Sequence, residues 1–93
     1  MNTNYEQMLY DFILYSEKVL QSDELEEVKH YYQHDEYEMA LEGLLIELIS
    51  AGKYPDNFEF SIWKDLVINY GLNKESVFDE FIWNKFLEWG MNK

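Results

Sequence analysis

The chain has no cysteine, no arginine and a single proline, and no uninterrupted apolar stretch reaches the ~20 residues needed to span a bilayer. The missing cysteine excludes disulfides and thiolate metal sites and fits a reducing compartment. The opening MNTNYEQ lacks the basic region and apolar run of a secretory signal. A cytoplasmic, soluble protein with no membrane association is therefore expected. The few glycines form no phosphate-cradling loop, because Gly43 falls within a helical pattern and Gly52, Gly71 and Gly90 follow one. Cations are also scarce: seven lysines face nineteen acidic residues, a net charge of −12. Such an imbalance costs stability through self-repulsion. It excludes ordinary nucleic-acid binding, which needs a basic footprint. It favours a cationic partner, either a basic protein, a metal ion or a surface that normally binds nucleic acid. The competing reading is that the acids only confer solubility.

Aromatics are what the chain has in abundance: three Trp, eight Tyr and six Phe among 93 residues. Each can bury roughly 150–250 Å², so a few pointing inward supply much of a small core. The length fits one domain, residues 1–93. The apolar period is helical throughout, with no strand pattern and no internal repeat. The organising stretch is DEYEMALEGLLIELISAG, in which Tyr37, Leu41, Leu44, Leu45 and Leu48 share a face that Met39, Ala40, Ile46 and Ile49 widen. A helix apolar nearly all round lies inside a bundle. Asp35 with Glu38 reads as its capping box, and Gly52 with Pro55 as its stop. A first helix runs from a Thr3–Glu6 capping box to Leu20, and a second, thinner one from Asp23 to Gln33, with Ser22 as its cap. Ser61 caps a helix over 62–70. Asn73 opens a last one that reaches Trp89, with Asp79 as a second cap and Gly90 as its stop. The expected fold is all-α, a single-domain bundle of about five helices around a buried central helix at about 36–51. Gly43, costly inside a helix by about 1 kcal/mol, predicts the close approach of another backbone or of a large ring such as Trp63 or Trp83.

Acids are densest from Asp23 to Glu47, where Lys29 is the single cation, and tyrosines interleave with them. The residues that read as a binding surface for a basic partner are Asp23, Glu24, Glu27, Tyr31, Tyr32, Asp35, Glu36, Tyr37, Glu38 and Glu42. Tyrosine offers large contact area at low entropic cost, and the carboxylates around it steer a basic partner. Glu38 and Glu42 stand one turn apart and repel, which suggests a use for both. The alternative is a solvated helix face with its tyrosines turned inward. Glu27, His30 and His34 have the spacing of half a zinc site. The intervening Tyr-Tyr-Gln is not an HExxH motif and a second ligating segment is missing, so no metal or other cofactor is expected. Glu27-x-x-His30 is a lone copy of a fragment that di-iron bundles use twice. No nucleophile is paired with a base, and the chain reads as a non-enzyme.

The run YEMALEGLLIELISAGKYPDNFEFSIWKDL, followed by NYGLNKESVFD and FIWNKFLEWG, resembles the small immunity proteins of bacterial contact-dependent growth inhibition, of the MafI type that neutralises EndoU-like nuclease toxins. The resemblance covers Tyr37 to Gly90, over half the chain. It implies a cytoplasmic protein that forms a heterodimer with the C-terminal nuclease domain of a cognate toxin. That domain would be an RNase of the tRNA-cleaving kind, blocked at its basic active-site region. The resemblance carries no residue motif for toxin contact, so the ten residues above rest on charge and aromatics alone. Colicin-type DNase immunity proteins are also short, acidic and helical, with paired tyrosines. An acidic nucleic-acid mimic acting on a basic protein, and a structural subunit with solubilising acids, remain open. Affinity that falls with salt separates an electrostatic inhibitor from a merely solubilising surface.

Overall fold

Leucine periodicity places α3 at the centre, and every other helix turns its apolar edge toward that core. The computed structural model describes residues 4–93. Its helices are α1 (Tyr5–Ser16), α2 (Ser22–Gln33), α3 (Tyr37–Ala51), α4 (Phe60–Asn69) and α5 (Ile82–Met91), and no strand occurs among the described residues. The fold is all-α. Ala40, Leu41, Leu44, Leu45 and Leu48 of α3 are fully enclosed, and α1, α2 and α5 pack directly against this helix. Leu9, Phe12 and Ile13 of α1, Leu25 and Val28 of α2, Trp63, Leu66 and Val67 of α4, and Ile82, Phe86 and Trp89 of α5 complete the core. Full burial of one such side chain is worth about 1.5–3 kcal/mol.

Helices α2, α3 and α4 end by one device. A residue with positive φ follows the last turn, and its own N–H and that of the next residue turn back onto carbonyls of that turn. Gly52 (φ 65°) and Gly71 (φ 76°) fill this position after α3 and α4. After α2 it is Asp35 (φ 61°), whose N–H reaches the Tyr32 carbonyl at 3.1 Å while that of Glu36 reaches Tyr31 at 2.9 Å. Asp is one of the few side-chain-bearing residues that visit this region. Asp35 therefore closes α2 and does not cap α3, whose N-cap is Glu36 without a capping side chain; the expected Asp35–Glu38 box is not formed.

Other helix ends differ from expectation in similar ways. Thr3 lies outside the described residues, and the first turn of α1 is capped by Asn4, whose side chain accepts the Gln7 N–H at 2.9 Å. Helix α1 stops at Ser16, short of Leu20; the Ser16 hydroxyl donates to the Phe12 carbonyl inside the core. Gln21 rather than Ser22 precedes α2, its N–H held by the Glu24 carboxylate at 2.8 Å. Helix α4 begins at Phe60 after Glu59, which puts Ser61 within its first turn. Residues 73–81 form turns and irregular chain, so the last helix starts at Ile82 and Gly90 lies inside it. A methyl group on Gly90 would lie 2.5 Å from the Phe60 ring, so this glycine is required by close approach. Gly43 faces Val28 of α2 and no tryptophan, with room for ordinary contact at 3.4 Å. Trp63 instead stacks on Phe12, ring centroids 3.9 Å apart.

Candidate partner-binding face

Segment 73–81 has no ladder of its own, and its buried N–H groups need acceptors. Glu42 supplies them. It is 0% exposed on the side of α3 that the segment covers, and its carboxylate accepts the N–H groups of Val77 (2.6 Å), Phe78 (2.9 Å) and Asp79 (2.7 Å). A buried carboxylate without partners would cost several kcal/mol, and three charge-assisted bonds offset this. Glu42 is thus unavailable to any partner, contrary to the sequence-based assignment. Glu38 is exposed, and the two glutamates do not form a shared charged surface. The apparent repulsion was the trace of an internal clamp.

Beyond Glu42, the predicted residues gather around the α2–α3 turn. Four tyrosines form a ladder across α1, α2, α3 and the end of α4: Tyr10–Tyr32 at 5.8 Å, Tyr32–Tyr37 at 5.3 Å and Tyr37–Tyr70 at 6.2 Å between ring centroids. The Tyr37 hydroxyl donates to Glu6 at 2.7 Å and lies 3.0 Å from Asp35. That of Tyr32 donates to the Glu6 carbonyl at 3.3 Å. The bond to Glu6, then partial burial and the bond to Asp35, hold the Tyr37 hydroxyl well above the ordinary tyrosine range. Burial first and the Glu6 charge second push up Tyr32. Tyr70 is raised by burial, then by Glu6 and Glu38. All three remain hydrogen-bond donors at neutral pH. Glu6, Tyr10 and Tyr70 escaped the sequence reading because only the packing of α1 and α4 beside the α2–α3 turn assembles them.

Two recesses extend the face. Asp35, Glu36, Glu38, Tyr70, Glu75 and Val77 line a depression between the α2–α3 turn and the start of segment 73–81. Glu24, Glu27, Tyr31, Ile46, Glu47 and Phe78 line a groove between α2 and α3, with Gly43 and Val28 also bordering it. Tyr31 and Phe78 lie 5.8 Å apart there. Burial, followed by the charges of Glu24, Asp23 and Glu27, raises the Glu47 carboxyl. The structure therefore divides the predicted set: Tyr32 and Tyr37 stand on the ladder with Asp35 beside them. Asp35, Glu36 and Glu38 line the depression, while Glu24, Glu27 and Tyr31 line the groove with Asp23 close by. Glu24 also has a local duty as the brace of the α2 entrance.

Little neutralises these acids. Among the described residues the ion pairs are Lys29–Glu17 and Lys85–Asp79, both 2.7 Å, and neither uses a carboxylate of the predicted set. His30 and His34 lie with ring centroids 4.4 Å apart, and no group of three potential metal ligands converges among the described residues. Nor is any described helix long and apolar enough to cross a membrane. Comparison with known proteins finds no family model, curated protein or solved structure that matches the chain.

Proposed function

We propose that this chain is an immunity protein that binds the nuclease domain of a cognate contact-dependent inhibition toxin and blocks its basic active-site region. The observation that carries this reading is the tyrosine ladder set among unneutralised carboxylates around the α2–α3 turn. A nuclease cleft is basic because it must receive phosphates, and a rigid acidic surface competes for the same charges. Tyr10, Tyr32, Tyr37 and Tyr70 provide the aromatic area in which binding energy concentrates. Carboxylates around them steer the encounter and accept bonds from toxin Lys and Arg. Inhibition then needs no chemistry of its own: the face excludes RNA by occupancy and by repulsion. The resemblance of Tyr37–Gly90 to MafI-type immunity proteins supports the same partner class.

The test is co-purification of the tagged protein with the product of the gene immediately upstream, followed by cleavage assays on total tRNA and on plasmid DNA. A basic domain that cleaves tRNA alone, and stops when this protein is added, is the expected result. Complex formation should weaken steeply as salt is raised. Cleavage of DNA instead would identify a DNase partner. A partner that does not bind, or that binds with its nuclease activity intact, overturns the reading.

A further inference from the structure

The clearest apolar feature of the surface is not on the ladder. Val77, Phe78 and Phe81 are 47%, 49% and 55% exposed, three large apolar side chains within five residues. Their backbone is fixed from both ends. Glu42 holds the N–H groups of 77–79 from inside, while the Asp79 carboxylate accepts the Phe81 N–H at 2.9 Å and the Lys85 ammonium at 2.7 Å. Non-helical chain that displays phenylalanine to solvent while a buried carboxylate immobilises it is poorly explained by folding alone, since those rings contribute little to the core. Exposed apolar patches with polar rims mark protein contacts, and a loop rigid before binding loses less entropy on docking.

The rim states what kind of partner fits. Glu24, Glu27 and Glu47 border the groove that Phe78 overhangs, and Glu36, Glu38 and Glu75 border the depression that Val77 closes. A second copy of this chain would bring another −12 against the same carboxylates. We infer that the Val77–Phe81 loop is an apolar anchor that enters a hydrophobic pocket ringed by Lys and Arg on a basic protein, and that Glu42 is its positioning residue. This rests on the reading of the face as a docking surface for a basic protein, and it adds an anchor outside the tyrosine ladder, across the depression that Tyr70 and Val77 share.

A synthetic amphipathic peptide with alternating Leu or Phe and Arg or Lys serves as the probe, with a control in which Ser replaces its apolar residues. Amide chemical shifts of the labelled protein are followed during titration. With the apolar peptide, shifts should centre on Tyr31, Glu47 and residues 76–82. The double variant F78A, F81A, which leaves the enclosed core intact, should bind that peptide about 10-fold more weakly and the control peptide unchanged. In E42Q, amide exchange at 77–79 should accelerate while the α3 amides stay protected, and only the apolar peptide should lose affinity. Shifts that spread over all carboxylates alike for both peptides overturn the inference. So does a double variant that discriminates the peptides as the natural chain does. Because the probe is not a nuclease, loss of the immunity reading leaves this result standing, and loss of this result leaves that reading to its own assay.

Discussion

Two aromatic regions of this small protein use the same residue class in opposite ways. In the core, Trp63 stacks on Phe12, Phe58 and Trp89 close around it, and Phe86 packs against Trp89. The polar tips at the edge of this cluster end on main chain: Tyr54 donates to the Trp89 carbonyl at 2.6 Å, and the Trp89 indole donates to that of Lys53 at 3.3 Å. On the ladder, rings are only partly covered, and the Tyr37 hydroxyl meets the carboxylate of Glu6. The first region is closed to solvent, and even the Trp63 indole N–H, which has no hydrogen-bond partner, is buried. The second keeps negatively charged hydrogen-bond acceptors beside half-open rings, which suits the basic partner proposed above. On the proposed function, stability and recognition fall to separate sets of aromatics, and substitutions should separate them.

The largest effects belong inside. Trp63→Ala should cost about 3–5 kcal/mol in urea unfolding, and a mild loss would erase the distinction between the two regions. Glu42→Ala should cost a comparable ~3–5 kcal/mol, because three N–H groups lose their acceptor. On the ladder, Tyr32→Ala should leave the protein folded yet weaken the proposed nuclease complex about 10-fold or more, read by calorimetric titration. An unchanged affinity would make the ladder a structural feature like the core cluster.

Acid and alkali probe the comparison more gently. The native state holds the Tyr32, Tyr37 and Tyr70 protons more tightly than the unfolded chain does. Their contribution is therefore complete below the unfolded value of about 10 and is lost as pH rises through the folded values. An ultraviolet titration should show these tyrosines ionising late, and Glu6→Gln should bring Tyr37 forward. The Lys85 and Phe81 bonds hold the Asp79 carboxyl below its ordinary range, so its contribution is present above the unfolded value and disappears as pH falls through the folded one. Lys85→Met should flatten that acid limb. Asp35→Gly should give the smallest shift, a gain of about 0.5 kcal/mol from relieving positive φ. A loss instead would show that the contact between Asp35 and Tyr37 outweighs the strain.

The central helix was legible because leucines at helical spacing have one physical explanation, and Gly52 and Gly71 announced the ends of α3 and α4. Asp35 reads as a cap because an acid before a helix resembles one, and a left-handed backbone leaves no mark in a non-glycine residue. Segment 73–81 carried cap and helix residues in plausible order. In the fold the N–H groups of 77–79 go to the Glu42 carboxylate and not to carbonyls one turn back, a tertiary contact that local sequence does not reveal. The acidic and tyrosine-rich character of the face was visible in Asp23–Glu47. Its division into ladder, depression and groove was not, since Glu6, Tyr10, Tyr70 and Phe78 enter from other parts of the chain.

The Glu42 clamp has a consequence for how such a surface can change. Its carboxylate holds main chain and no side chain, and every residue except proline presents the same N–H group. Residues 77 and 78 can therefore be exchanged without disturbing their hold on α3. If the loop meets a partner as inferred above, it can be rewritten for a different one while the interior that presents it stays as it is.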